Sequence, residues 1–122
     1  MPSSRVLVLE DNSAILDAIV EALLRRKYDA AGAATFEAFR ALVDAGAADL
    51  ALIDRHIAGA DSVALIQELR RRFPELPVVV MSSEATPEAV AACLRMGVKG
   101  YLAKPFELSA LVQTVESLLR GR

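Results

Sequence analysis

The amino-acid sequence predicts an α/β fold, a doubly wound five-stranded parallel sheet with helices on both faces. Short apolar runs rich in β-branched residues alternate along the chain with longer segments whose apolar residues recur every three or four positions. The short runs are apolar at successive positions, which is typical of strands buried on both faces of a parallel sheet. Strand and helix alternate five times, which predicts parallel strands joined by helical crossovers.

Five short segments are the predicted strands. Four of them are largely apolar runs bounded by polar residues or glycine. The remaining one, YDAAGA, carries the weakest signal because alanine and glycine are poor strand formers. In chain order the strands are VLVL (6–9), YDAAGA (28–33), LALI (50–53), VVVM (78–81) and VKGYLA (98–103).

Five helices are predicted between and after these strands from apolar stripes and from end signals. Serine, threonine and aspartate favour helix starts, proline favours the first helical position, and glycine favours the end. The predicted starts are Thr35, Asp61 or Ser62, and Thr86 followed by Pro87, and the predicted ends are Gly46 and Gly97. The stripes are Ile15, Leu16, Ile19, Val20, Leu23 and Leu24, then Phe36, Phe39, Leu42 and Val43, then Leu65, Ile66, Leu69 and Phe73, and finally Leu108, Leu111, Val112, Val115 and Leu119.

Length and composition predict one globular domain spanning residues 1–122. Hydrophobic residues make up 54% of the chain and charged residues 25%, which is typical of a folded protein. The net charge of -2 gives no basic surface for nucleic acid, so we expect no direct nucleic-acid binding by this domain. The single cysteine, Cys93, and the absence of a membrane-length apolar run or a signal peptide predict a cytoplasmic location and no membrane association.

Charged and hydroxyl side chains follow four of the predicted strands. Because the carboxyl ends of parallel strands meet at one edge of the sheet, where open α/β sheets bind ligands, we expect these side chains to lie together. Adjacent carboxylates repel by ~1–4 kcal/mol near a surface, and a hard divalent cation with oxygen ligands, Mg²⁺, relieves that repulsion. A carboxylate nucleophile beside a cation, a lysine and a hydroxyl is suited to phosphoryl transfer. The residues are Glu10 and Asp11, then Asp54, then Ser82 and Ser83, and finally Lys104.

Taken singly, each of these residues has an ordinary structural explanation. Asp11 alone is as readily a helix cap, Ser82 a cap or turn residue, and Lys104 a solvated surface lysine. Tyr101 alone is more often a core aromatic, and Cys93 a small packing residue. Their joint occurrence at strand ends favours a site.

Four stretches together resemble the receiver domain of response regulators in bacterial two-component signalling. They are LVLEDN, LALIDRHIAG, VVVMSS and KGYLAKPF, in that family's order and at its spacing along essentially the whole chain. The resemblance implies a flavodoxin-like (βα)5 fold and a phosphoacceptor switch that is not an enzyme, since it would catalyse only its own phosphorylation and dephosphorylation. It also implies a sensor histidine kinase or phosphotransfer protein as donor, and an output domain or partner protein as target. A homodimer through the fourth helix, fifth strand and fifth helix is a further arrangement that the resemblance allows.

The resemblance also assigns roles to single residues. Asp54 matches the aspartate that accepts the phosphoryl group from a phosphohistidine. Ser82 matches the hydroxyl residue that moves to bond the phosphoryl group, and Lys104 matches the lysine that pairs with it. Tyr101 matches the switch aromatic, which rotates inward when that hydroxyl moves.

A Mg²⁺ site is implied in the same way. Asp11 would hold the ion directly and Glu10 through water, with Asp54 as a further ligand. His56 matches the position whose backbone carbonyl completes the metal shell, so its side chain need not ligate. The Lys104–Pro105 peptide bond resembles one that is cis in the family.

Two positions depart from the family pattern. Ala58 stands where proline is usual, which leaves the loop after Asp54 less constrained. Ser62 stands where glycine is common, so the start of the third helix is expected to differ. Neither departure removes a reactive group.

Three other functions compete with the phosphoacceptor switch. An aspartyl-phosphate phosphatase would also use a strand-end aspartate and Mg²⁺, but it typically has a second aspartate at the position of His56. A nucleotide or flavin binder would need a glycine-rich loop after the first strand, where EDNSAI has no glycine. A phosphorylation-independent pseudo-receiver is the third, and the presence of every reacting group disfavours it.

Overall fold

A computed structural model describes residues 3–120 of the chain. The five strands of the main sheet are β1 (Arg5–Leu9), β2 (Asp29–Ala33), β3 (Leu50–Asp54), β4 (Val78–Ser82) and β5 (Gly100–Ala103). The five helices are α1 (Ser13–Arg25), α2 (Phe36–Ala45), α3 (Val63–Arg72), α4 (Pro87–Arg95) and α5 (Leu108–Leu119). The predicted alternation of strand and helix is confirmed, including the weakly signalled β2. The predicted domain also includes residues 1–2 and 121–122, which lie outside the described residues.

All five strands are parallel, in the order β2-β1-β3-β4-β5. The chain leaves β1 toward one edge to form β2 and then returns to form β3 on the other side of β1. This reversal opens a crevice at the carboxyl ends of β1 and β3, the position where open α/β sheets bind ligands. Leu9 pairs with Ile53 across these two strands, so the residues that follow Leu9 and Ile53 meet at that crevice.

Side chains alternate between two cores, one on each face of the sheet. On one face Leu7 and Ile53 pack with Phe39 of α2, Leu65 of α3 and Cys93 of α4. The other core is formed by Val8, Leu52 and Met81 with Ile19 and Leu23 of α1 and Leu111 and Val115 of α5. The predicted helix coverage of both faces is therefore confirmed, and the successive apolar residues in each strand are explained by burial on both sides.

Three residues of the predicted apolar stripes are not buried. Leu24 is 51% exposed, and Ile15 and Leu108 are also exposed at the surface. The predicted stripes of α1 and α5 are therefore wider than the helix surface that packs against the rest of the protein. Within residues 3–120, no helix combines the length and the apolar character needed to cross a membrane.

Candidate phosphoacceptor and metal site

Four of the six side chains predicted to meet at the strand ends do so, namely Glu10, Asp11, Asp54 and Lys104. Asp54 is the last residue of β3 and Ser82 the last of β4, while Glu10 and Lys104 each follow a strand directly. The Lys104 Nζ atom lies 2.7 Å from Oε1 of Glu10 and 2.7 Å from Oδ2 of Asp54. Glu10 is 1% exposed and Asp54 is also buried. One ammonium therefore bridges two buried carboxylates in the crevice between β1 and β3.

Three carboxylates form one acidic cluster. Glu10, Asp11 and Asp54 each place an oxygen atom within 4.8 Å of the other two. Asp11 is exposed, so the cluster opens to solvent on its side. Three carboxylates and the Lys104 ammonium leave a formal charge of -2, which one divalent cation would neutralise. A set of carboxylate oxygens at this spacing fits Mg²⁺, which prefers hard oxygen ligands.

Burial and ion pairing shift the pKa values of Glu10 and Lys104 in opposite directions. Burial raises the pKa of Glu10, and the nearby Asp54 charge adds to the rise, although Lys104 and the Asn12 N–H oppose it. Burial alone would lower the pKa of Lys104, but its bonds to Asp54 and Glu10 raise that pKa above its ordinary value. Lys104 therefore stays an ammonium at neutral pH.

The helix-cap explanation of Asp11 is not supported. Asn12 is the N-cap of α1, and its side-chain oxygen accepts a hydrogen bond from the Ile15 N–H at 3.1 Å. The Asn12 N–H in turn donates to Oε2 of Glu10 at 3.0 Å. Asp11 instead accepts a hydrogen bond from the Ala58 N–H at 2.8 Å. Its carboxylate thus faces the loop after Asp54.

That loop is a short antiparallel hairpin that the sequence did not predict, with strands His56–Ile57 and Ala60–Asp61. Its turn residues Ala58 and Gly59 both have positive φ, 50° and 82°. A proline at position 58 would fix φ at about −65° and would have no N–H to donate. Ala58 therefore provides both the turn conformation and the N–H that Asp11 accepts, neither of which proline could provide.

His56 lies beside the acidic cluster. Its N–H donates to Oδ1 of Asp54 at 3.3 Å. Its imidazole Nε2 lies 3.8 Å from Oε1 of Glu84 and 4.0 Å from Oδ2 of Asp61, two carboxylates outside the acidic cluster. That the His56 side chain need not ligate the metal stays a prediction.

Ser62 occupies the N-cap position of α3 but does not cap it with its side chain. Its hydroxyl contacts the backbone carbonyl oxygens of Asp54 and Arg55, the latter at 2.8 Å. The Val63 N–H is satisfied by the carboxylate of Asp61 at 2.8 Å instead. Of the two predicted caps, Asp61 therefore performs the role, and Ser62 fixes the end of β3 to the start of α3.

Ser82 and Tyr101 are linked through one intervening residue. The Glu84 N–H donates to Oγ of Ser82 at 3.1 Å, and the Glu84 carbonyl accepts a hydrogen bond from the Tyr101 hydroxyl. The Tyr101 ring is half-buried against the core that contains α4. Glu84 was not among the predicted site residues, because an exposed glutamate after a serine pair carries no local signal. The predicted cis peptide bond at Lys104–Pro105 is present.

Comparison with known proteins identifies the family. A family model described as the response regulator receiver domain matches residues 6–116. The response regulator protein FleR of Pseudomonas aeruginosa is 30% identical over 113 residues, which are 93% of this chain and 24% of FleR. The transcriptional regulatory protein PrrA of Mycobacterium tuberculosis is 33% identical over 121 residues, which are 98% of this chain and 52% of PrrA. The chain thus spans about a quarter to about half of the length of these curated relatives.

A solved structure shows the same fold. The response regulator receiver domain protein (CheY-like) from Methanospirillum hungatei JF-1 superposes with a TM-score of 0.86 at 25% identity, covering 95% of this chain and 94% of that one. The chain belongs to the response regulator receiver domains of two-component signalling.

Proposed function

We propose that Asp54 is the phosphoacceptor of a Mg²⁺-dependent signalling switch. The observation that carries this proposal is the Asp54 carboxylate at the carboxyl end of β3, 2.7 Å from the Lys104 ammonium and within 4.8 Å of two further carboxylates. An Asp54 oxygen attacks the phosphorus of a phosphohistidine or an acyl phosphate, and a new O–P bond forms. The P–N or P–O bond of the donor breaks, and its electron pair leaves with the donor.

The residues around Asp54 bind the transferred phosphoryl group and the metal ion. Lys104 pairs with the transferred phosphoryl oxygens, and the Ser82 hydroxyl donates to one of them after leaving the Glu84 N–H. Glu10, Asp11 and Asp54, with the backbone carbonyl of His56, would hold Mg²⁺. When bound, Mg²⁺ supplies positive charge that neutralises the phosphoryl oxygens in the transition state.

The family and one surface groove support the proposed partners and location. The groove, of about 560 Å³, is lined by residues of α1 and of the segment after β5, among them the exposed Ile15 and Leu108 and the ammonium-bearing Lys104. We assign this groove to the donor, a sensor histidine kinase or phosphotransfer protein. PrrA and FleR are longer than this chain, and PrrA is named as a transcriptional regulator. A downstream output domain or partner protein in the cytoplasm is therefore the proposed target, with α4, β5 and α5 as the surface that responds.

The test is labelling with acetyl phosphate in the presence and absence of Mg²⁺. We expect acid-labile, hydroxylamine-sensitive label on the parent only with Mg²⁺, and none on Asp54→Asn because an amide is not a nucleophile. Asp61→Asn is the matched control, since Asp61 is a nearby carboxylate outside the acidic cluster, and it should keep the label. Undiminished label on Asp54→Asn would contradict the assignment. An unlabelled parent would favour the pseudo-receiver.

A further inference from the structure

Arg55, the residue directly after Asp54, makes a set of contacts that the phosphoryl-transfer site does not require. Its guanidinium binds the Asp61 carboxylate through two parallel hydrogen bonds, Nε to Oδ1 and Nη2 to Oδ2, each 3.1 Å long. The third nitrogen, Nη1, lies 3.5 Å from Sγ of Cys93 in α4. The Arg55 side chain is only 17% exposed. One partly buried guanidinium therefore contacts both the start of α3 and the inner face of α4.

The Asp61 end of this arrangement is firmly held. Oδ1 of Asp61 also accepts the Val63 N–H at the start of α3. Burial raises the pKa of Asp61, but the Arg55 guanidinium and the Val63 N–H outweigh it and hold that pKa below its ordinary value. The Arg55 backbone is fixed as well, because its N–H donates to the Met81 carbonyl and its carbonyl accepts the Ser62 N–H, both at 2.8 Å. Arg55 is thus a rigid extension of β3.

The Cys93 end is where the contact has consequences. Cys93 is 0% exposed, and among the residues of α4 it is the only buried one. By contrast, α3 buries three residues and α5 four. A helix anchored by one small side chain has few apolar contacts to hold it in place, so local opening is expected to require little free energy. A guanidinium is weakly hydrated and tolerates a partly buried position beside sulfur.

We propose that Arg55 is a positioning residue that clamps α4 to the loop after Asp54, with Asp61 as its anchor and Cys93 as its contact on the helix. The clamp sets how readily α4 leaves its resting position. Its regulatory meaning rests on the proposed function, since α4 belongs to the surface that would respond to phosphorylation of Asp54. The clamp itself is a property of the unphosphorylated protein and is tested there.

Cys93 is itself the probe, because it is the only cysteine in the chain and is buried. The experiment measures the rate at which an excess of a thiol reagent labels Cys93 in the folded, unphosphorylated protein, divided by the rate in denaturant. The variants are Arg55→Met, which keeps length without charge or donors, Arg55→Lys, which keeps charge without the two-pronged geometry, and Asp61→Asn. Arg40→Met is the matched control, because Arg40 makes an ion pair with Glu68 between α2 and α3, away from α4.

We expect Arg55→Met to speed labelling about tenfold, with a smaller rise for Arg55→Lys and Asp61→Asn. Arg40→Met should label at the parent rate. A merely structural Arg55 would raise labelling only as far as it lowers the free energy of global unfolding, measured in parallel with urea. Equal rates for Arg55→Met and Arg40→Met, or a rise matched by global destabilisation, would overturn the clamp.

The outcomes stay separate from those of the proposed function. If Arg55→Met does not fold, Asp61→Asn and Arg55→Lys test the same contact with smaller changes, and parent-like labelling of both overturns the proposal. A fast-labelling Arg55→Met together with a parent that takes no phosphoryl group would support the clamp and refute the phosphoacceptor role. Parent-like slow labelling of Cys93 in Arg55→Met, together with normal phosphorylation of the parent, would refute the clamp and support the phosphoacceptor role.

Discussion

The Lys104 ammonium lies 2.7 Å from the Asp54 carboxylate, although the two residues are 50 positions apart in the chain. The contact exists because β3 and β5 end at the same edge of the sheet, with β4 between them. It places a positive charge where a phosphoryl group on Asp54 would carry negative charge. In the unmodified protein the same charge stabilises two buried carboxylates.

Replacing Lys104 should therefore destabilise the metal-free protein. In Lys104→Met the buried carboxylates of Glu10 and Asp54 lose their shared cation, and removing one partner of a buried ion pair costs about 3 kcal/mol. Lys104→Arg, which keeps the charge, is the control and should lose less. The measurement is urea unfolding at neutral pH without Mg²⁺. Added Mg²⁺ should restore part of the loss in Lys104→Met, and a Lys104→Met protein as stable as its parent would contradict the bridging role.

Asp11 and Asn12 are adjacent, and their replacements should separate metal binding from helix capping. Asp11→Ala should lose most Mg²⁺ affinity while the metal-free stability stays close to that of the parent, because the lost bond to the Ala58 N–H is offset by relief of carboxylate repulsion. Asn12→Ala should lose about 1 kcal/mol of stability through the missing N-cap, with Mg²⁺ affinity largely retained. Calorimetric Mg²⁺ titration and thermal unfolding measure the two effects. A large loss of metal-free stability in Asp11→Ala, with Mg²⁺ affinity retained, would instead show that Asp11 caps the helix.

Ala58 adopts a backbone conformation that glycine prefers. Its φ of 50° is in the left-handed region, which costs a residue with a Cβ roughly 1–2 kcal/mol. We expect Ala58→Gly to stabilise the protein by about 0.5 kcal/mol, since the added freedom of the unfolded chain offsets part of the relief. Ala60→Gly, in the strand of the same hairpin, should destabilise instead. Urea midpoints for the two variants test this, and equal shifts would show that the turn conformation is not strained.

The Arg55–Asp61 pair should make stability depend on acid. The folded-state pKa of Asp61 lies below its ordinary value of 3.8, so the unfolded state binds more protons in that range. The stabilisation is present above that ordinary value and is lost as the pH falls through the lowered folded-state value. The stability advantage of the parent over Asp61→Asn should accordingly be constant at neutral pH and shrink in strong acid. An advantage that persists unchanged in acid would exclude this ion pair as its source.

Activation should be visible along the path from Ser82 through Glu84 to Tyr101. Beryllofluoride, a phosphoryl mimic, should draw the Ser82 hydroxyl away from the Glu84 N–H and shift amide NMR signals across residues 86–119. Tyr101→Phe lacks the hydroxyl that is bonded to the Glu84 carbonyl, so fewer amide signals in residues 86–119 should shift in this variant. Shifts confined to the loops around Asp54 would show that this path does not carry the signal.

The local sequence pattern was sufficient to predict the architecture and the meeting of Glu10, Asp11, Asp54 and Lys104. Apolar runs mark strands buried on both faces, apolar stripes mark helices, and a parallel sheet brings the residues after its strands to one edge. Those rules predict that Glu10, Asp54, Ser82 and Lys104 meet, without any knowledge of distances. Even the weak β2 was recoverable, because the alternation of elements requires a strand between α1 and α2.

The tertiary structure alone decided which of these groups touch and how the loops between them are built. Asn12 and not Asp11 caps α1, and Asp61 and not Ser62 caps α3, because the hydroxyl of Ser62 is drawn to carbonyls at the end of β3. The hairpin at Ala58 and the contact of Arg55 with Cys93 depend on where α3 and α4 pack. Arg55 and Cys93 are 38 residues apart in the chain. The local sequence pattern predicts which face of a helix or strand is apolar. The direction of a polar side chain is set by partners distant in sequence, and these are defined only once the sheet and its helices have assembled.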